Sequence, residues 1–188
     1  MGLIILTGPK HAGKTTAGRA LADRCAGNFT DLDEMVQAHT GKSPRTLFKE
    51  GAEVFRMAEA GALRSLLNTK AAGDAPGRLH IVAAGGGLVD NGAALDLLKM
   101  SDTVMLVYLD VSVETAWERI RITAEHTGEL PPFLNTTDPQ ETHRLLHERR
   151  AAAYRKIAHI IIKADGKDPE TIAEELFSKT MHCSNAVR

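Results

Sequence analysis

Short apolar runs alternate along the chain with longer segments in which apolar residues recur every three or four positions. The short runs predict strands at Leu3–Leu6, Leu79–Ala83, Val104–Leu109 and Ile160–Ile162, with a weaker strand near Asn28–Asp31. The longer segments predict helices over Thr15–Ala22, Glu53–Leu67, Ser112–Ile122, Gln140–Ile157 and Pro169–Lys179. Strands that alternate with helices build a parallel sheet with helices on both faces. The pattern therefore predicts one domain over residues 1–188, a three-layer α/β/α fold with a central parallel sheet of five strands.

Two segments interrupt this alternation. Lys70–Arg78 is polar, with glycine and proline, and predicts a loop before a strand. Thr123–Pro139 contains Gly128 and the pair Pro131-Pro132, and its apolar residues follow no sustained period. A loop of this length in a compact domain is usually functional or disordered. We therefore predict a mobile lid insertion at about residues 123–139.

Gly8–Thr15 follows the first predicted strand and fits the pattern G-x-x-x-x-G-K-[ST] of a phosphate-binding loop, or P-loop. Strand, glycine-rich turn and helix start together direct backbone N–H groups and a helix dipole at a phosphate. The motif predicts that Lys14 contacts the β- and γ-phosphates of ATP and that the Thr15 hydroxyl binds Mg²⁺. An ordinary glycine turn is the alternative, which the complete motif disfavours. The predicted nucleotide-binding residues of the P-loop are Gly8, Ala12, Gly13, Lys14, Thr15 and Thr16.

Two further motifs follow predicted strands, at the sheet edge where open α/β sheets bind ligands. Asp31 and Asp33 come after the weak second strand, and their spacing places both carboxylates on one side. One carboxylate suits the Mg²⁺ site and the other suits a substrate hydroxyl, with a helix cap at Asp33 as the competing interpretation. Gly85-Gly86-Gly87 follows another strand and either brings backbone close to a ligand or makes a tight turn.

Composition limits the remaining possibilities. Of the 188 residues, 43% are apolar and 4% aromatic, and 23 basic against 24 acidic residues give a net charge of −1. This balance disfavours nucleic-acid binding and a polybasic membrane anchor. Cys25 and Cys183 show no metal-ligand spacing, and most of the eight histidines are expected on the surface. Without a long apolar run or a secretory signal, we expect a soluble, cytoplasmic monomer that binds neither nucleic acid nor membrane.

In combination, these motifs resemble those of the shikimate kinase family. The P-loop, the aspartate pair, Phe55-Arg56 and the three glycines are spaced as in that family. The similarity is most specific over Asp31–Phe48 and Gly51–Glu59, where the family has an aspartate pair, a Thr-Gly-[KR]-Ser turn and Gly-Glu-x-x-Phe-Arg-x-x-Glu. It continues through His147–Arg155, which is similar to the family's Arg-x-x-x-Tyr helix after the lid. The resemblance covers nearly the whole chain.

The resemblance implies an ATP- and Mg²⁺-dependent kinase that phosphorylates the 3-hydroxyl of shikimate, a carboxylate-bearing polyol. It implies catalysis by Lys14 and by Asp33, which would orient or deprotonate the attacking hydroxyl, with Asp31 beside the metal. On the acceptor side it implies two arginines that clamp the carboxylate, a glutamate that holds the first of them, and three glycines beside the ring: Arg56, Arg150, Glu59, Gly85, Gly86 and Gly87. The residues that would flank adenine are Arg119, Asp165 and Pro169.

Three departures from the family pattern bear on activity. Pro131–Leu134 stands where the family has a lid sequence whose arginine reaches the transferred phosphate, a contact that stabilises its spreading charge. The candidates to replace that arginine are Arg121, His126 and Arg144. Ala83-Ala84 replaces a small hydroxyl residue before the glycines, and Glu125 and Glu129 make the lid less basic. Two alternatives therefore stay open: a sister kinase for another hydroxy or sugar acid such as gluconate, and a regulatory module that binds nucleotide and transfers poorly.

Overall fold

The computed structural model of the chain describes residues 2–73 and 78–185. In this part of the chain the strands are β1 (Leu3–Thr7), β2 (Asn28–Asp31), β3 (His80–Ala83), β4 (Val104–Asp110) and β5 (Ile160–Lys163). The α-helices are α1 (Lys14–Arg24), α2 (Leu32–Thr40), α3 (Pro44–Glu50), α4 (Ala52–Gly73), α5 (Gly92–Lys99), α6 (Val113–Thr127), α7 (Pro139–Ile157) and α8 (Pro169–Asn185). Short 3-10 turns cover Leu88–Asp90 and Pro132–Leu134.

The sheet runs in the order β2-β3-β1-β4-β5, with every pairing parallel. Strands β2 and β3 lie on one side of β1, and β4 and β5 lie on the other. The direction in which the sheet grows therefore reverses at β1. In open α/β sheets, ligands bind at the carboxyl ends of the strands beside such a reversal. Register brings Leu6 beside Ala83 and Asp31 beside Ala83, so the segments after β1, β2 and β3 meet there. The predicted three-layer fold with a five-stranded parallel sheet is confirmed.

Alternate positions along β1 enter two different hydrophobic layers. Leu3 and Ile5 pack with residues of α2, α4 and α5, whereas Ile4 and Leu6 pack with residues of α1 and α8. All four side chains are at most 1% exposed. Burying an aliphatic side chain of this size contributes roughly 1.5–3 kcal/mol. The central strand is therefore firmly held from both faces, and the P-loop that follows it starts from a rigid base.

Three helices, α2, α3 and α5, were not predicted from the apolar pattern. In α3 only Leu47 is buried, so the helix has no apolar stripe to reveal it. Its start is set by Ser43, whose side chain accepts a hydrogen bond from the Thr46 N–H, and by proline at the first helical position. The start of α5 is set in the same way by Asn91, whose side chain accepts from the Ala94 N–H.

The two segments predicted to be irregular are partly helical. Helix α4 continues to Gly73, so the loop prediction for Lys70–Arg78 is wrong over residues 70–73, while residues 74–77 lie outside the described part. Helix α6 continues to Thr127 and ends at Gly128, whose φ of 75° is left-handed. The irregular stretch between α6 and α7 is therefore residues 128–138, which we call the lid segment. Among the described helices, none is both long and apolar enough to cross a membrane.

Candidate active site

The P-loop turns tightly against the end of β4. A Cβ on Gly8 would lie 2.7 Å from the carbonyl oxygen of Leu109, and the φ of Gly8 is 149°. Gly13, the residue before α1, has a φ of 90°. Left-handed backbone favours glycine, so both positions depend on it. Between them His11 adopts a φ of 62° although it carries a side chain, which costs of the order of 1 kcal/mol.

The side chain of Lys14 folds over the P-loop and contacts its carbonyl oxygens. Its Nζ donates hydrogen bonds to the carbonyl oxygens of Gly8 at 3.0 Å and Pro9 at 2.8 Å. Burial lowers the pKa of Lys14 to about 8, against the opposing attraction of Asp33 and Asp31. A bound phosphate would add further negative charge and favour the charged ammonium. The lysine is therefore a cation held at the P-loop, close to both aspartates.

Thr15 and Asp31 connect the P-loop to the end of β2. The Thr15 hydroxyl donates a 2.8 Å hydrogen bond to Oδ2 of Asp31, and the other carboxylate oxygen accepts from the Asp33 N–H at 3.0 Å. Asp31 is thereby the N-cap of α2. The capping role considered for Asp33 is wrong, since α2 begins at Leu32, two residues earlier than that role requires, and Asp33 lies in the first helical turn.

The oxygen ligands at this point fit Mg²⁺. Mg²⁺ prefers oxygen and is usually held by one or two protein groups together with substrate phosphates and water. A threonine hydroxyl and a carboxylate at hydrogen-bond distance supply such a pair in Thr15 and Asp31. The described residues contain no group of three or more His, Cys, Asp or Glu able to hold a metal.

Asp33 has a carboxylate oxygen that is buried and, within the described part of the chain, not hydrogen-bonded. Its Oδ1 is buried and has no hydrogen-bond partner among the described residues. Burial and the nearby charge of Asp31 raise the pKa of Asp33, while Lys14 and Lys10 act in the opposite direction. A buried acceptor without a partner is costly in a folded protein unless a ligand completes it. Asp33 is therefore suited to receive a hydrogen bond from a bound molecule.

The glycine turn after β3 packs against the P-loop and against three side chains. A Cβ on Gly85 would lie 3.4 Å from Oε1 of Glu59 and 3.7 Å from Oδ1 of Asp33. A Cβ on Gly86 would lie 2.8 Å from the carbonyl oxygen of Gly8, and one on Gly87 would lie 3.1 Å from an Arg150 guanidinium nitrogen. The three glycines thus permit close packing of the P-loop, the two carboxylates and the arginine around one crevice.

The network around Glu59 differs from the one expected. Glu59 is 1% exposed, and its Oε2 accepts a 2.9 Å hydrogen bond from Nδ2 of Asn91. The same Asn91 amide donates to the carbonyl oxygen of Arg56 at 2.8 Å, while the Arg56 guanidinium pairs with Glu53 one turn away. The expected contact between Glu59 and the Arg56 side chain is therefore not formed. Instead, Asn91 joins Glu59 to the Arg56 backbone. Asn91 gave no functional signal in the sequence beyond its suitability as a helix cap.

Burial shapes the electrostatics of this network. It raises the pKa of Glu59 to about 7, although Asn91, Arg150 and Arg56 oppose the rise. Oε1 of Glu59 has no hydrogen-bond partner in the described residues. Arg150 and Arg56 both act on this one carboxyl, so the structure brings the two predicted arginines near the same group.

Arg150 reaches the crevice from α7. Its guanidinium binds Oδ2 of Asp90 at 2.8 Å and lies under the ring of Phe133, with 5.8 Å from its central carbon to the ring centre. From the same helix, the Tyr154 hydroxyl donates to the carbonyl oxygen of Gly86 at 3.2 Å and accepts from the Val89 N–H at 3.1 Å. Tyr154 therefore fixes the glycine turn, a role that its position in the family-like helix did not reveal.

The residues expected to flank adenine lie on three separate segments. Arg119 on α6 donates to the carbonyl oxygen of His11 in the P-loop at 2.9 Å. Asp165 accepts hydrogen bonds from the backbone N–H at 3.0 Å and the hydroxyl at 2.9 Å of Ser112, which lowers its pKa despite the opposing effect of burial. Pro169 is the first residue of α8. Asp165 thus ties the loop after β5 to the start of α6, beside the P-loop.

The lid segment is held to α3. Arg45 donates to the carbonyl oxygen of Leu130 at 2.9 Å and pairs with Glu129 at 2.5 Å. A cleft of about 300 Å³ lies between this contact, the P-loop and Phe133. The candidate replacements for the family's lid arginine are otherwise engaged: Arg121 binds Glu118 and Glu125, Arg144 binds Glu141 and Glu148, and His126 bonds the carbonyl oxygen of Ile122.

Two of the histidines expected on the surface are buried together on α7. His143 and His147 are 4% and 8% exposed, and their ring centres lie 5.5 Å apart. Burial lowers the pKa of His143 to about 4 and also lowers that of His147, so both rings are neutral. Their spacing of four residues was a visible signal for one helix face. Trp117 of α6 packs on His143 at 5.5 Å, and the pair therefore serves as core between α6 and α7.

A P-loop lysine beside an unpartnered carboxylate, a magnesium-compatible oxygen pair and two convergent arginines define a P-loop kinase for a small hydroxylated molecule. The family model for shikimate kinase matches residues 10–181. The chain belongs to the shikimate kinase family.

Individual relatives agree with this assignment. The shikimate kinase of Nitrosospira multiformis is 36% identical over 176 residues, which cover 93% of this chain and 83% of that protein. The shikimate kinase of Streptococcus gordonii is 38% identical over 171 residues, which cover 90% of this chain and 95% of that protein. The structure of shikimate kinase from Acinetobacter baumannii in complex with shikimate aligns with a TM-score of 0.81 and 28% identity, covering 100% of this chain and 96% of that one.

Proposed function

We propose that this protein transfers the γ-phosphoryl group of ATP to the 3-hydroxyl of shikimate, forming ADP and shikimate 3-phosphate. The observation that carries the proposal is the Asp33 carboxylate, whose Oδ1 is buried without a partner among the described residues, in a chain of the shikimate kinase family. The proposal is supported by the charge of Asp33 acting on Lys14 of the P-loop and by the 3.7 Å from this oxygen to a Cβ on Gly85 of the glycine turn.

The P-loop supplies the nucleotide site. Backbone N–H groups of Gly8, Ala12, Gly13, Thr15 and Thr16 and the start of α1 surround the phosphates, as helix N-termini do in general. Lys14 exchanges its bonds to the loop carbonyls for the β- and γ-phosphate oxygens. The residues proposed to flank the base are Arg119, Asp165 and Pro169.

Thr15 and Asp31 are the residues that hold Mg²⁺. The metal, when bound, neutralises charge that develops on the phosphate oxygens. Asp31 keeps its second oxygen on the Asp33 N–H, so metal binding and the start of α2 share one carboxylate. This sharing fixes Asp33 relative to the phosphates.

Asp33 and the two arginines orient the acceptor. Arg56 and Arg150 exchange their present partners, Glu53 and Asp90, for the carboxylate of the substrate, for which a planar guanidinium is well suited. The substrate ring then lies along the glycine turn at Gly85–Gly87, with its hydroxyl directed to Asp33. The interactions with the distant carboxylate thereby hold the substrate hydroxyl in the position from which it reacts.

The chemical step is an in-line displacement. The acceptor oxygen forms a bond to the γ-phosphorus, the bond to the bridging oxygen of ADP breaks, and the hydroxyl proton passes to Asp33. The raised pKa of Asp33 brings its basicity nearer to that of a useful proton acceptor. Most of the acceleration arises from positioning and from fixed positive charge, since phosphoryl transfer asks little covalent chemistry of the protein.

We further propose that the protein acts as a cytoplasmic monomer on small molecules alone, without binding nucleic acid or membranes. A net charge of −1 and an aromatic content of 4% support this view. Light scattering of the purified protein measures the mass directly, and a dimer would refute the first part.

The test of function is ADP release from Mg-ATP in parallel reactions with shikimate, gluconate and no acceptor, followed by phosphorus NMR of the product. We expect turnover only with shikimate, and phosphate at its 3-oxygen. Turnover with gluconate alone would show a sister kinase, which the altered lid at Pro131 favours. ATP binding without turnover on either acid would show a regulatory module.

A further inference from the structure

The cations around the crevice differ in whether they are already paired. Arg121 and Arg144 are each held by two glutamates of their own helix, and Arg45 is held by Glu129 of the lid segment. Arg150 is held by Asp90. Phosphoryl transfer needs positive charge directed at the moving group, and a cation that must first leave a carboxylate is a poor source of it.

Lys10 is a cation of a different kind. Within residues 2–73 and 78–185 no hydrogen bond or ion pair engages its ammonium group, and its side chain is exposed. It is the third residue of the P-loop, and its backbone nitrogen lies 3.5 Å from where a Cβ on Gly86 would be. Its position is therefore fixed by the contact between the P-loop and the glycine turn, while its side chain is free to move.

The surroundings of Lys10 join the acceptor side to the lid segment. Lys10 lines the cavity that Arg150 and Phe133 bound, and it also lines the 300 Å³ cleft under the lid segment. Its charge acts on both sides of the reaction centre: it lowers the pKa of Lys14 and opposes the raised pKa of Asp33. Lys10 thus lies where the two cavities meet, and its charge acts on both Lys14 and Asp33.

We propose that Lys10 is a further catalytic residue whose ammonium group contacts the transferred phosphoryl group from the lid side. The proposal rests on the proposed function and deepens it, because it supplies the charge that Pro131 cannot. As the bond to the acceptor oxygen forms and the bond to ADP breaks, Lys10 donates a hydrogen bond to an equatorial oxygen of the phosphoryl group. A point charge on a flexible stem can follow that oxygen through the transfer.

Three variants separate this role from a structural one. Lys10→Met removes the charge at nearly constant volume, Lys10→Arg keeps a cation, and Lys99→Met is the matched control on an exposed lysine of α5 that pairs with Asp96. We expect Lys10→Met to lower kcat about a hundredfold, the effect of losing one charge-stabilising donor. Its dissociation constant for Mg-ATP should change little. We expect Lys10→Arg to recover most of the rate and Lys99→Met to retain all of it.

A second measurement does not depend on the acceptor. Mg-ADP binding is measured by calorimetry with and without aluminium fluoride, which mimics the phosphoryl group in transfer. Wild type should gain affinity from the fluoride, and Lys10→Met should lose most of that gain while binding Mg-ADP as before. Equal effects of fluoride in the two proteins, whether large or absent, would overturn the Lys10 proposal. Absence of shikimate turnover in wild type would instead refute the proposed function.

Discussion

Gly86 and Gly8 meet backbone to backbone, since a Cβ on Gly86 would lie 2.8 Å from the carbonyl oxygen of Gly8. That same oxygen accepts a hydrogen bond from Nζ of Lys14. The glycine turn after β3 therefore limits where the P-loop carbonyl can lie, and through it the resting place of the phosphate-binding lysine. The proposed acceptor and nucleotide sites are joined here by direct contact of two main-chain segments.

Gly86→Ala should push the P-loop away from the glycine turn. A contact of 2.8 Å to a backbone atom cannot be relieved by a rotamer change, so we expect a loss of about 1–3 kcal/mol in the free energy of unfolding and weaker ATP binding. Urea denaturation and calorimetry measure the two effects. Gly61→Ala is the control: Gly61 lies inside α4 with nothing within 4 Å of a Cβ, and the substitution should add about 0.5–1 kcal/mol. Equal stability of the two variants would contradict the packing argument.

Asp33→Asn should lower kcat about 10²–10⁴-fold, the usual contribution of a positioned proton acceptor. ATP affinity should stay within a few fold, and stability should be kept, because the cap of α2 belongs to Asp31. Stopped-flow turnover and urea denaturation report these quantities. Reduced stability with an unchanged kcat would assign Asp33 a structural role.

Asp31→Asn is predicted to act on the metal and not on the fold. Asparagine caps helices as well as aspartate does, so the start of α2 should remain intact. The Mg²⁺ concentration required for half-maximal turnover should rise, because the partner of the Thr15 hydroxyl loses its charge. A magnesium titration of ADP release measures the change; an unaltered half-maximal concentration would remove Asp31 from the metal site.

Lys14→Ala should abolish turnover under every kinase interpretation of the site, with a loss of at least about a thousandfold from removing a central phosphate contact. The fold should survive, since Nζ bonds only carbonyl oxygens of its own loop. Circular dichroism and ADP release measure the two properties. Retained activity would refute the P-loop assignment.

Glu59 should make stability fall as pH rises. Its pKa is raised from 4.5 to about 7 in the fold, so between these values the folded state binds more protons than the unfolded state. Each pH unit in that window then costs about 1.4 kcal/mol, roughly 3 kcal/mol in total. Glu59→Gln should remove this dependence. The free energy of unfolding of the variant, measured by urea denaturation, should therefore rise relative to that of wild type between pH 4.5 and 7. Parallel pH profiles of the two proteins would contradict the shifted pKa.

The strands and the P-loop could be predicted from the sequence because each carries a dense local signal. Continuous apolar runs such as Val104–Leu109 identify buried parallel strands, and the P-loop motif fixes a strand, a turn and a helix start together. Helix α3 shows the limit of this approach: with Leu47 as its only buried residue, it is defined by Ser43 and Pro44 at its start.

Side-chain partners in the site could not be predicted in the same way. The Asn91 amide joins the Glu59 carboxylate to the Arg56 backbone across 32 and 35 residues, and nothing in the local sequence encodes such a distant contact. Which of Asp31 and Asp33 caps α2 depended on where that helix begins, and element boundaries are the least certain part of a pattern. The pair His143 and His147, by contrast, had a readable helical spacing.

The contact of Arg45 with Glu129 and Leu130 has a thermodynamic consequence. Helix α3 packs on α4, which carries Arg56 and Glu59, while Glu129 belongs to the segment that follows α6. A ligand that binds only while these two parts are in contact would favour a second ligand with the same requirement. By reciprocity, each of the two ligands would raise the affinity for the other by the same factor. Arg45 is the residue through which such a coupling would pass, because it joins the lid segment to the helix that packs on α4.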